Sequence, residues 1–107
     1  MTQFDDRERA FETKFAHDAE IQFKVTARRN RLVGEWAADR MGLTPEEKEA
    51  YARSVVQADF EEAGDDDVIR KLASDLTTAQ IEVTDAEIRS ALDAKMVEAR
   101  RQLMDSV

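Results

Sequence analysis

The chain has 107 residues, of which 42% are hydrophobic and 37% charged: enough for one domain with a modest core. It contains no cysteine, which excludes disulfides, thiolate catalysis and cysteine-based zinc or iron–sulfur centres. A formal charge of −8 argues against general nucleic-acid binding, and three glycines with one proline leave too little turn chemistry for an all-β fold.

Met1 to Leu32 carries seven basic and six acidic side chains, whereas Val33 to Val107 carries nine and eighteen. A near-neutral leading segment therefore sits on an acidic body. No apolar run is long enough to span a bilayer, and the start, "MTQFDDRERAF", is charged from its fifth residue, unlike a secretory signal. A cytoplasmic protein without membrane insertion is the expectation. Abundant Ala, Glu, Asp, Arg and Gln favour helix.

The first predicted helix lies in "FDDRERAFETKFAHDAEIQFKVTARRNRLVGEWAADRMG", beginning at Phe4, which has no proline. Asp5 caps its first turn, Glu8 follows three residues on, and Gly42 closes the far end. Asp5 to Met41 is about 37 residues, roughly 55 Å at 1.5 Å per residue. The remaining helices come to about 12–22 residues, or roughly 18–33 Å. A bundle of that size cannot cover the whole first helix, so about half of it overhangs, bends back or stays unfolded. Ile21, Val25, Leu32 and Trp36 share a face, with Val33 and Ala37 beside them, and form the expected bundle-facing stripe. Phe4, Phe11 and Phe15 share another face, rotated by roughly 70°. Two readings stay open: an apolar stripe presented to a partner's groove, or a kink that returns the phenylalanines to the core.

The second helix opens with Thr44 as N-cap, Pro45 at the first position and Glu47 completing a capping box, and Gly64 is its expected stop. Asp65, Asp66 and Asp67 begin the third, where carboxylates face the positive end of the helix dipole. Val68, Ile69, Leu72 and Leu76 supply its apolar stripe. After "TTAQ", Thr84 and Glu87 form a second capping box and Val83 staples Ile88. Ile88, Leu92, Met96, Ala99 and Leu103 recur at helical spacing to the end. The predicted architecture is an all-α four-helix bundle, residues 20–107, preceded by a separate segment, residues 1–19.

Catalytic chemistry is scarce. There is no GxxxxGK[ST] loop and no GxGxxG turn. His17 lies beside Asp18 and Glu20, but neighbouring residues on a helix point apart, so a solvent-facing histidine is favoured over a metal ligand. "DDD" at 65–67 lacks the later glycine and glutamate of an EF-hand, and helix capping accounts for it. Arg28, Arg29 and Arg31 form the strongest basic patch, without the interleaved aromatics of a nucleic-acid surface. Arg31 is placed to pair with Glu35. Arg28, within the apolar stripe, is expected to pack its stem there and pair at the bundle edge.

The opening stretch resembles the start of the alphaproteobacterial zeta subunit, an inhibitor of the rotary F-type ATP synthase, whose pattern runs roughly FDDRExAFExKFAHDxELxFKxxARRNKLxGxWAAxxLG. Arg9 stands for lysine, Ile21 for leucine, Arg31 for lysine and Met41 for leucine, and "ADFEEAGDDDVIRKL" matches a second block. The resemblance implies a non-enzymatic regulator with a four-helix fold. Its N-terminal segment would wedge between an alpha and a beta subunit near gamma, blocking hydrolytic rotation. Carried onto this chain, the segment is Thr2 to about Ala19. Phe4, Phe11 and Phe15 would be its apolar anchors; Arg7, Arg9 and Lys14 would meet acidic or backbone acceptors, and Asp5, Asp6, Glu8 and Glu12 basic groups. In some members the bundle is thought to bind nucleotide weakly. A nucleotide-sensing bundle that takes ATP or ADP and does not itself inhibit is therefore the rival expectation, with no cofactor otherwise implied. The free segment is expected to fray before about Phe15, because an unpacked helix of that length is marginal in water.

Overall fold

Capping chemistry divides the chain where the sequence places it. The Glu47 amide donates to Thr44 Oγ1 at 3.3 Å, and the Thr44 amide donates to Glu47 Oε1 at 2.9 Å, a reciprocal capping box. The Thr44 amide, and after it the Thr44 hydroxyl, hold the Glu47 carboxyl below its ordinary range. At the second box, the Glu87 amide donates to Thr84 Oγ1 at 3.1 Å. The computed structural model describes residues 3–59 and 64–105, with side chains described for 18–59 and 64–104. It contains α1 (Gln3–Met41), α2 (Pro45–Ala58), α3 (Asp66–Thr78) and α4 (Asp85–Asp105), with no strand among the described residues.

Two helices end in left-handed residues that return amides to the preceding turn. Gly42, at φ 71°, closes α1 as the Leu43 amide donates to the Ala38 carbonyl at 3.1 Å. Gln80, at φ 64°, does the same for α3, with the Ile81 amide donating to the Leu76 carbonyl at 2.9 Å. The second helix stops at Ala58, earlier than Gly64, although Gly64 still turns the chain at φ 94°. Its buried register, Ala52 and Val55, continues in sequence to Asp59, a carboxylate that a longer α2 would turn toward the core.

The core joins Val33 and Ala37 of α1, Val55 of α2, Val68, Ile69, Leu72 and Leu76 of α3, and Ile88 and Leu92 of α4. The buried face of α1 differs from the expected stripe. It runs Val25, Arg29, Val33, Ala37 and, alongside, Asn30, Gly34 and Ala38. Leu32 and Trp36 are half-buried and Ile21 is 43% exposed, so the packed face is turned from that stripe by roughly 120°. The reason is steric. A Cβ on Gly34 would lie 2.9 Å from the Ala52 Cα and 3.2 Å from Val55 Cγ2, so α1 meets α2 nearly backbone to backbone. Small residues make that approach possible, and an apolar-periodicity count gives them little weight.

Ion pairs and one phenol tie the helices together at the edges. Lys48 reaches Asp39 at 3.0 Å between α2 and α1, and Arg40 reaches Glu87 at 3.7 Å between α1 and α4 while stacking over Trp36. Tyr51 of α2 donates to Asp75 Oδ2 of α3 at 2.8 Å, and Lys71 shares that carboxylate at 3.0 Å. Burial, with the Asp75 carboxylate beside it, raises the Tyr51 phenol far above its ordinary value of 10.0.

Two measurements check this packing. Gly34→Ala should lower unfolding free energy by about 1–3 kcal/mol in chemical denaturation, because the new methyl meets main chain that cannot step aside. Tyr51 is the only tyrosine. Its folded pKa is raised, so the stability it contributes is intact below about pH 10 and declines as pH rises beyond that. Phenolate absorbance should therefore appear together with the loss of helical circular dichroism, and a phenolate formed on an intact bundle would contradict the buried bond.

Candidate functional site

The feature that sets this bundle apart is where α1 leaves it. At 1.5 Å per residue, its 39 residues span about 58 Å, in a molecule whose extents are 64 × 26 × 21 Å. Residues 18–24 are all exposed, and Val25 is the first buried residue of the described side chains. Lys24 pairs with Glu20 at 3.2 Å across one solvent-facing turn, a contact worth little in water. The backbone continues as helix to Gln3. The side chains of Phe4, Asp5, Asp6, Arg7, Glu8, Arg9, Phe11, Glu12, Lys14 and Phe15, and of His17, lie outside the described residues.

Just inside the exit, α1 is held by a polar anchor. Arg29 is 4% exposed, and its Nε and Nη2 donate to Asn30 Oδ1 at 3.1 and 2.8 Å. Nη2 also donates to Asp65 Oδ1 at 2.8 Å, joining α1 to the start of α3. Asp65 occupies the N-cap position of α3 but makes no side-chain capping bond there. The acidic run at 65–67 is thus more than helix capping: Asp65 binds Arg29, and Asp67 accepts from Arg70 at 2.5 Å. The buried arginine is Arg29, whereas Arg28, expected to pack its stem in the stripe, is exposed. The i, i+4 series 25, 29, 33, 37 could have identified it had a basic residue been allowed on the packed face.

On another face of the same stretch of α1, a groove of about 600 Å³ opens between α1, α2 and the end of α4. Phe23, Ala27, Val56 and Leu103 contribute apolar walls. Lys24, Arg28, Arg31 and Arg53 contribute four cations, and no carboxylate is among the described residues that line the groove. Arg31 is paired as expected with Glu35 at 3.5 Å, and it also meets Glu49 of α2. Glu49 reaches Arg53 at 3.5 Å as well, and the Arg31 hydrogen bond keeps its carboxyl below the ordinary range. Arg28 has no ion pair among the described residues. Among the described residues, no group of three or more His, Asp or Glu side chains is placed to hold a metal, and no helix is long and apolar enough to cross a membrane.

Comparison with known proteins agrees with the architecture. The family model described as ATPase inhibitor subunit zeta matches residues 1–102. A protein solved by solution NMR is 46% identical, with a TM-score of 0.73, covering 81% of this chain and 99% of that one. No curated protein matches.

The two neighbouring arginines should separate under substitution. Asp65→Ala leaves the buried Arg29 without its counter-ion and should cost about 1–3 kcal/mol of stability by denaturant titration. Arg28→Ala, at an exposed position, should stay within about 0.5 kcal/mol of wild type. Equal losses at both positions would show that the anchor is not built as described.

Proposed function

The chain belongs to the ATPase inhibitor subunit zeta family, whose role is regulatory and not catalytic, and we propose that it inhibits ATP hydrolysis by the F-type ATP synthase with the projecting half of α1. In this reading residues 1–19 lodge as a helical wedge at an interface of an alpha and a beta subunit, near gamma. They block rotation in the hydrolytic sense while the bundle, residues 20–107, remains outside. The protein works in the cytoplasm, peripherally associated with the membrane-bound enzyme. The observation that carries the proposal is the mismatch between α1 and its bundle: Val25 is the first buried residue among the described side chains, and it lies about 33 Å of helix after Gln3.

A wedge needs adhesion as well as length. Phe4, Phe11 and Phe15 supply it in the proposed segment, each worth about 1.5–3 kcal/mol when fully buried. Arg7, Arg9 and Lys14, interleaved with Asp5, Asp6, Glu8 and Glu12, keep the segment near neutral. It can thus enter a protein interface without the desolvation penalty of a single-sign charge run. Free in solution, its outer turns open and close; docked, they stay helical.

Deleting residues 1–19 removes none of the core residues among the described ones. The truncated chain should keep its helical melting transition and lose inhibition of hydrolysis by the isolated catalytic head. Full inhibition by the folded truncation would end the wedge proposal. Phe11→Ala and Phe15→Ala should each weaken inhibition about 10–100-fold with unchanged denaturation midpoints, whereas a large stability loss would return those rings to the core. Amide exchange in residues 5–15 should be fast in the free protein and slow in the complex. The rival, a nucleotide-sensing bundle without inhibitory action, requires ATP-induced chemical-shift changes clustered in one cleft and no effect on hydrolysis.

A further inference from the structure

We propose that the cationic groove beside the α1 exit is a second docking surface for the inhibited enzyme, taking an acidic amphipathic helix from its surface. This rests on the inhibitory reading of the α1 overhang. The chain is acidic overall, yet Lys24, Arg28, Arg31 and Arg53 converge on one groove, and no carboxylate is among its described lining residues. The carboxylates nearby, Glu20, Glu35 and Glu49, pair with Lys24, Arg31 and Arg53 in exposed or half-exposed contacts. Such pairs are worth at most about 1 kcal/mol and yield readily to a better-placed anion. Arg28 has no such pair among the described residues.

The groove's chemistry selects the occupant. Its floor and walls include Phe23, Ala27, Val56 and Leu103, with the cations around them. An apolar stripe flanked by Asp and Glu complements that arrangement, and helix-in-groove docking is a recurrent way to fill a cleft between helices. A phosphate-bearing small molecule is less well served. The lining residues of α1 and α2 lie inside helices, where backbone amides are already bonded within the helix, so no amide cradle or helix N-terminus faces the ligand. A nucleic acid would bring its extended negative charge against the acidic body.

Position adds an independent argument. Phe23 follows Ala19 by four residues, about 6 Å along α1, and Arg31 lies about 18 Å beyond Ala19. Any surface that grips residues 1–19 has the groove within reach on the same rigid helix. Two contacts on one rigid element act together, so the groove raises the residence time of the wedge without altering how it blocks rotation.

The test uses full-length protein and the isolated catalytic head, with binding titrated over a salt series and inhibition read at saturation. The double variant Arg28→Glu/Arg53→Glu should bind about tenfold more weakly at low salt, show a shallower salt dependence, and still inhibit fully when saturating. The neutral pair Arg28→Gln/Arg53→Gln should fall between it and wild type, and both should melt like wild type. Unchanged affinity in either folded variant would overturn the groove as a docking surface, even where wild type inhibits. Wild type that binds without inhibiting, with binding still weakened by the double variant, would remove the wedge and keep the groove. Saturable binding of ATP or inorganic phosphate at Arg28 and Arg53 that leaves head binding untouched would assign the groove to small anions and defeat the proposal.

Discussion

The close approach of α1 and α2 at Gly34 is the constraint on which the rest of the structure depends. With Gly34, Ala37, Ala38 and Ala52 all buried, the two helices touch near the main chain, and 2.9 Å would separate an added Cβ from the Ala52 Cα. That contact fixes the rotation of α1 about its own axis. Once fixed, it puts Val33 and Ala37 into the core, Arg29 against the start of α3, and Trp36 with Arg40 toward α4. It also decides which residues face out at the exit, and so the composition of the groove. A larger residue at 34 would push the helices apart and redistribute each of these contacts.

The Arg29 anchor then locks what the close approach orients. A buried guanidinium is a poor source of net stability, since a well-packed apolar residue can often do as well. Its value here is directional: the bond to Asp65 Oδ1 is satisfied in one rotation and one axial position of α1, and the neighbouring Asn30 Oδ1 holds the guanidinium in place for it. For a helix that extends beyond its bundle, this matters more than for an enclosed one. A tilt at Val25 is magnified along the roughly 33 Å that precede it. The anchor sits one turn inside the exit, where it restrains that tilt most directly.

The sequence makes the punctuation of this fold legible and its packed face much less so. Thr44, Pro45 and Glu47, the Gly42 terminus, and Thr84 ahead of α4 are local devices, and each marks a boundary that the structure reproduces. The overhang is legible too, because it follows from comparing helix lengths. The rotation of α1 is not, for apolar periodicity rewards Ile21, Leu32 and Trp36 while discounting Gly34, Ala38, Asn30 and Arg29. Gly34 is buried by the close approach of α2 and Arg29 by its bond to Asp65, reasons that lie outside α1, while Asn30 is buried beside Arg29 with its Nδ2 unbonded among the described residues. The same blindness exchanged Arg28 with Arg29. The groove escaped notice because its residues come from three helices and form no motif in any of them.

A small bundle bearing a long helix also resolves a difficulty with short inhibitory segments. An isolated helix of fifteen to twenty residues carries a nucleation factor of order 10⁻³, about 4 kcal/mol, before any turn is gained. In this chain the turn from Val25 to Arg29 is already formed by burial. Residues upstream add by propagation alone, each near thermoneutral, so helicity extends outward from the bundle and fades with distance from it. The bundle therefore acts as a permanent nucleus for the segment it carries. Docking then has to supply only the modest free energy of holding the outer turns, leaving more of the phenylalanine burial to appear as affinity. On this view the bundle's stability and the wedge's grip are linked through one continuous backbone, with Gly34 and Arg29 at the fixed end.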